Sequence, residues 1–277
     1  MSQGTLIEAV ALADCLPDCC VFDVRHQLAD VDYGERAYLA GHIPGALFLH
    51  CDRDLSGAKT GSNGRHPLPD PAVLAGKLAA CGVSSGTQVV VYDDSQGMIA
   101  GRLWWMLRWL GHPRVAVLNG GIQAWLAVGG SLSKEIPSPE RGDFQAALPV
   151  GAVDAAYVLA HLESSAMRLI DARSPDRFRG ENESLDPLGG HIPGATNRFF
   201  RDNLAADGRF KPAEVLRDEW QAVLAGTSPE RVVHQCGSGV SACHNLLAME
   251  YADLPGSRLY PGSWSEWCVD PARPMVP

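Results

Sequence analysis

No run of 18 apolar residues occurs in the 277 residues, so no membrane-spanning helix is expected. The most apolar segment, Leu103 to Leu110, is broken by Arg108. The first residues, MSQGTLIEAVALADC, carry no basic stretch and include Glu8 and Asp14, which argues against a secretory signal. Basic charge is also scarce: 23 Lys+Arg face 32 Asp+Glu, a net charge of −9. That balance argues against nucleic acid or an anionic membrane as a partner. It does not exclude a small anionic substrate, because a local pair of arginines can oppose the global charge. Eight cysteines are too few for a disulfide scaffold and include no C-x2-C pair of the zinc type, so no metal is expected and a reducing, cytoplasmic setting is. Most of the eight should be small buried hydrophobes.

What the chain does contain is a repeat. Val21-Phe22-Asp23-Val24-Arg25 has its counterpart in Leu169-Ile170-Asp171-Ala172-Arg173. Each reads as a buried strand ending in an Asp-x-Arg turn. Downstream of each stands G-H-I-P-G-A, at Gly41 to Ala46 and at Gly190 to Ala195. Asp23 to His42 is 19 positions and Asp171 to His191 is 20. The strands Val89 to Asp93 and Arg231 to Gln235 each run into a small-residue loop and then a helical pattern. N-G-G-I-Q-A-W closes the first half at Trp125, and P-G-S-W-S-E-W closes the second at Trp267.

Two copies of one α/β domain are therefore expected: residues 1–130, a proline-bearing linker over 131–150, and residues 151–277. Helices are predicted over Pro71 to Ala80, Gly97 to Leu110, Ala213 to Ala225 and Gly239 to Ala252. Alternation of strand and helix implies, in each domain, a parallel sheet with helices on both faces. Ligands of such sheets sit beyond the C-terminal strand ends.

Cys236 stands at such an end, ahead of Gly237-Ser238-Gly239-Val240-Ser241-Ala242. Backbone N–H groups at the opening of the next helix should stabilise a thiolate and lower its pKa. Gly237 and Gly239 let the backbone curl around the sulfur. Ser238 and Ser241 can donate hydroxyl hydrogen bonds. Equal spacing of 31 positions, Asp94 to Trp125 and Cys236 to Trp267, aligns Cys236 with Asp94 in the first copy. Aspartate is a poor substitute for a packing cysteine, so a functional group in one copy only is the better account. Phosphatases of the C-x5-R type need an arginine where Ala242 stands, which removes their phosphate clamp. Cys243, about two turns along the helix, is expected in the core.

The paired G-H-I-P-G-A, the D-A-R strand end, R-F-R-G at Arg177 to Gly180, the C-G-S-G-V-S-A loop and G-S-W-S-E-W together resemble the rhodanese family, from about residue 5 to the C-terminus. The resemblance implies an inert first domain, a catalytic second one, no cofactor, and ping-pong transfer of a sulfane sulfur through a persulfide on Cys236. The neutral loop looks like that of the mercaptopyruvate-using members, with Ser241 where they have Thr; members using thiosulfate carry basic residues there. A non-catalytic persulfide relay or sensor is a further reading. The implied substrate contacts are Arg177, with Arg179 beside it, and the loop residues Gly237, Gly239, Val240 and Ser241. The implied catalytic set is Cys236 and Ser238, with His42 and Asp32 completing a proton relay. Against this, the same histidine recurs at His191, which favours a structural role. The implied acceptor is thioredoxin, a small thiol or cyanide. Members of the mercaptopyruvate type carry a second arginine between R-F-R-G and G-H-I-P-G. Here that loop, E-N-E-S-L-D-P-L-G-G, has none.

Overall fold

The computed structural model describes residues 4–162 and 164–277. The chain forms two compact units: Met1–Gly57, Pro69–Val150 and Asp207–Arg209 in one; Ala58–Leu68, Gly151–Ala206 and Phe210–Pro277 in the other. Two departures from the sequence boundaries matter. Residues 58–68, which the sequence assigns to the first domain, cluster with the second. Residues 131–150 are not a free linker but lie along the first unit. Their backbone N–H groups donate from Ser133 to His42, from Gly142 to Ala79, from Phe144 to Val83 and from Ala147 to Leu110. A segment can satisfy its polar backbone on a neighbouring surface as well as in water, and prolines do not prevent this.

The first unit contains β1 (Leu6–Ile7), α1 (Ala9–Cys15), β2 (Cys19–Asp23), α2 (Tyr33–Ala40), β3 (Leu47–Phe48), α3 (Pro71–Ala80), β4 (Gln88–Tyr92), α4 (Ala100–Trp109), β5 (Val115–Leu118) and α5 (Gly121–Ala127). All strand pairs are parallel, in the order β1-β5-β4-β2-β3. Side chains alternate across the sheet. Val21, Val90, Tyr92, Ala116 and Leu118 pack with Leu12, Ile122 and Trp125 of α1 and α5 in one core. The intervening Val89, Val91, Val115 and Val117 are also buried, so both faces are covered. Helix α3 starts sharply because Pro71 occupies its first turn and the Asp70 carboxylate accepts from the N–H groups of Ala72 (2.9 Å) and Val73 (3.0 Å).

The second unit contains α6 (Ala155–Ala160), β6 (Arg168–Asp171), α7 (Pro175–Phe178), β7 (Thr196–Asn197), α8 (Ala213–Leu224), β8 (Val232–Gln235), α9 (Ala242–Tyr251), β9 (Arg258–Leu259) and α10 (Ser263–Trp267). Its parallel strands run β7-β6-β8-β9, and Ala152 bridges Leu259 in parallel on the outer side, where β1 lies in the first unit. The order is thus the same in both copies. No helix among the described residues is long and apolar enough to cross a membrane.

The repeated motifs have repeated jobs. Arg25 donates to Asp23 (2.6 Å) and to the Gly41 carbonyl (2.8 Å); Arg173 donates to Asp171 (2.7 Å) and to the Gly190 carbonyl (2.8 Å). Each Asp-x-Arg therefore ties a strand end to the following G-H-I-P-G turn.

Candidate active site

Strand β8 ends at Gln235, and Cys236 follows as the first loop residue. Two backbone bonds from α10 hold this loop: Trp264 N–H donates to the Cys236 carbonyl (3.0 Å) and Ser265 N–H to that of Gly237 (2.9 Å). The Cys236 N–H in turn donates to Ser263 Oγ (3.1 Å). The G-S-W-S-E-W motif is thus the bracket of the Cys236 loop. Gly239 has φ +76° and turns its N–H onto Cys236 Sγ at 3.1 Å. A Cβ there would meet the Pro261 carbonyl oxygen at 2.3 Å, which only glycine avoids. Val240 is buried. Ser241 precedes α9 and makes no side-chain capping bond. Cys243 is buried and donates to the Gly239 carbonyl (3.4 Å), a core position.

The Oγ of Ser238 lies 2.8 Å from Nδ1 of His66, and both residues are buried. His42 stacks on Tyr38 at 3.9 Å between ring centres, with ring nitrogens at the carbonyls of Tyr38 (2.8 Å) and Glu135 (2.9 Å). His191 stacks on Phe178 in the same way, 3.9 Å, with Nδ1 at the Phe178 carbonyl (2.9 Å). Both histidines hold the G-H-I-P-G turn against the preceding helix. That shared structural task explains their presence in both copies. Asp32 is exposed at the start of α2 and makes no capping bond with its side chain.

The arginines also rearrange the expectation. Arg177, in α7, reaches the Cys236 loop: a Cβ on Gly237 would lie 3.3 Å from its Nη2. Arg179 does not; it is exposed and pairs with Glu181 on the surface (2.7 Å). The second guanidinium at the loop belongs to Arg65, whose Nη2 would be 2.9 Å from the same Cβ. Burial and the neighbouring Arg177 pull the Arg65 guanidinium below its ordinary pKa, while Cys236 and Glu183 oppose that shift. Two buried carboxylates hold the pair. Glu183 accepts from Arg177 Nε (3.1 Å) and Nη2 (2.8 Å), and Asp186 pairs with Arg65 and with Arg177 (3.4 Å). A guanidinium pair beside a sulfur and a His–Ser pair suits an anionic donor and a mobile proton.

Arg65 and His66 were out of reach of the repeat, because they sit in a segment the copies do not share. Between β3 and α3 lie 22 residues, against 15 between β7 and α8. A long, irregular, Gly- and Ser-bearing loop inside a compact domain is itself a functional signal. The register of the repeat also needs correction. Asp23 pairs with Tyr92 and Asp171 with Gln235, so the residue facing Cys236 in the first copy is Asp93, not Asp94. The N–H of Ile122 donates to the Asp93 carbonyl just as that of Trp264 does to Cys236. The first loop is one residue longer, and the equal count of 31 hid the shift.

Both halves match the rhodanese-like domain family, over residues 8–128 and 154–270. A probable 3-mercaptopyruvate sulfurtransferase from Pseudomonas aeruginosa is 49% identical, over 100% of this chain and 99% of its own. The thiosulfate sulfurtransferase of Bos taurus is 35% identical over 96% of this chain and 91% of its own. Among solved structures, the 3-mercaptopyruvate sulfurtransferase from Leishmania major superposes with a TM-score of 0.87 at 31% identity, covering 96% of this chain and 74% of that one. With two tandem domains matched along almost its whole length, the chain belongs to the rhodanese family of sulfurtransferases.

Proposed function

We propose that this protein takes the sulfane sulfur of 3-mercaptopyruvate onto Cys236 and passes it to a thiol. The observation that carries the reading is Cys236 Sγ lying at the Gly239 N–H in a loop flanked by two guanidinium groups from outside it, those of Arg65 and Arg177. The loop itself is neutral, which suits a donor with one carboxylate. Arg65 and Arg177 bind the carboxylate and keto oxygen of the donor as guanidinium forks. Loop residues Gly237, Gly239, Val240 and Ser241 form the wall against it. The Cys236 thiolate attacks the donor sulfur; the S–S bond forms and the C–S bond breaks, leaving the enolate of pyruvate. The proton of the donor thiol moves to that enolate carbon, so the products are pyruvate and a Cys236 persulfide anion. His66 and Ser238 are the pair that relays this proton. His42, Asp32 and Arg179 have no part in it. In the second half-reaction an acceptor thiol attacks the outer sulfur, gains it, and returns Cys236 as thiolate. Thioredoxin or a small thiol serves as that acceptor, in the reducing cytoplasm that the low cysteine density favours.

The test is intact-mass analysis after 3-mercaptopyruvate treatment, with pyruvate assayed in parallel. A gain of about 32 Da that vanishes in Cys236→Ser is expected, one added sulfur atom. Comparing kcat/KM for the two donors decides between them, and a strong thiosulfate preference overturns the donor assignment. Rapid multiple turnover with free donor and acceptor separates an enzyme from a persulfide relay.

A further inference from the structure

The two carboxylates at the arginines are unexpected in a site for an anion. Glu183 and Asp186 have side chains only 3% and 2% exposed, so their charges are not dispersed into water. Each guanidinium divides its donors. Arg177 gives Nε and Nη2 to Glu183 and turns Nη1 and Nη2 towards Gly237, where a Cβ would meet them at 3.5 and 3.3 Å. Arg65 gives Nη1 to Asp186 and turns Nη2 towards Gly237, where a Cβ would meet it at 2.9 Å. Glu183 is held in place from behind. Its Oε1 accepts the N–H groups of Leu185 (2.8 Å) and Asp186 (3.1 Å), and Arg173 Nη1 lies 3.7 Å from Oε2. It cannot swing aside when a donor arrives without breaking those bonds.

The charges then decide what the site accepts. Two guanidinium and two carboxylate groups cancel, and the Cys236 thiolate leaves the loop formally negative. 3-Mercaptopyruvate brings one negative charge through its carboxylate, whereas thiosulfate brings two. In a partly buried site each extra unit of like charge is costly. We infer that Glu183, acting through Arg177, is a specificity-determining residue that neutralises the anion subsite and so favours a singly charged α-keto acid over a dianion. Asp186 does the same for Arg65. This rests on the donor reading proposed above. The acidic loop E-N-E-S-L-D, which lacks the second arginine expected from the family, supplies selectivity while residues 58–68 supply the cation.

Glu183→Gln tests the inference, because the amide oxygen still accepts the Leu185 and Asp186 N–H groups while the charge is lost. Steady-state kcat/KM is measured with both donors for the wild type, Glu183→Gln, Asp186→Asn and the control Glu181→Gln. Glu181 lies in the same loop but pairs with Arg179 at the surface. In Glu183→Gln the ratio of thiosulfate to mercaptopyruvate kcat/KM rises about tenfold, one unit of buried charge felt once more by the dianion. Asp186→Asn shifts it in the same direction, and Glu181→Gln leaves it unchanged. An unchanged ratio in both Glu183→Gln and Asp186→Asn overturns the inference, as does equal loss of both donors or an equal shift in Glu181→Gln. A wild type that prefers mercaptopyruvate together with an unchanged variant ratio sinks this inference alone. A wild type that takes sulfur from neither donor sinks the donor reading and this with it.

Discussion

The loops after β4 and after β8 are the same piece of backbone put to two uses. In the first unit Asp93 fills the loop. Its wholly buried carboxylate accepts four N–H groups, from Ser95 (3.0 Å), Gly97 (2.9 Å), Ile99 (2.8 Å) and Ala100 (2.9 Å). In the second unit Cys236 fills it, and the sulfur takes the Gly239 N–H alone among the described bonds. One copy spends its anion cradle on a fixed carboxylate held by four N–H groups; the other holds a sulfur that takes one. A shared fold can therefore carry an anion site as structure or as chemistry, and one residue decides which.

The largest expected effect falls on Cys236 itself. Cys236→Ser abolishes persulfide formation and donor turnover, read by intact mass and pyruvate release; residual turnover would move the chemistry elsewhere. Next come the arginines. Arg65→Lys and Arg177→Lys keep the charge but lose the fork, and each lowers kcat/KM for mercaptopyruvate by about ten- to a hundredfold. An effect confined to Arg177 would return the anchor to the second domain's own motif. In the first unit the consequence is stability instead. Asp93→Asn turns an NH2 towards two of the four N–H groups and costs about 2–3 kcal/mol. Urea denaturation measures it, and a neutral result would remove the carboxylate from its structural role.

The gentlest test uses pH. His234, two residues before Cys236 in the chain, stands where the first sheet has Val91. Burial pushes its pKa down to about 3. Unfolded, it takes a proton near pH 6.5; folded, it does not until about pH 3. Its contribution is whole above pH 6.5 and is lost as pH falls through that window, at up to about 1.4 kcal/mol per pH unit. In His234→Val that part of the acid slope disappears from the stability profile. If the slopes of wild type and variant coincide, His234 is protonated in the fold.

The repeat, the parallel sheets and the place of Cys236 at a strand end were legible because each depends on short local patterns: β-branched strands, Gly-bearing turns and paired motifs. The match of G-H-I-P-G-A also carried a warning, since His42 and His191 occupy equivalent places and do equivalent packing. The hydrogen-bond partner of Ser238 was not legible. His66 is 172 positions away in the chain, and no local pattern marks it. Arg65 is hidden for the same reason, and adjacency in R-F-R-G does not say that Arg177 turns inward while Arg179 stays at the surface. The count of 31 misaligned the copies by one residue, an error only strand register exposes.

By itself, then, the sequence determined that two like domains exist, that each has a parallel sheet, and which sulfur stands at the strand end, because those follow from periodicity and from residue types needed at tight turns. Only the tertiary structure decided what surrounds that sulfur. It brought the segment 58–68 into the second unit, put Arg65 and His66 at the Cys236 loop, set Glu183 and Asp186 against the arginines, and matched Cys236 with Asp93. Each depends on which distant groups are buried together, where charge and hydrogen-bond satisfaction are settled across the fold rather than along the chain.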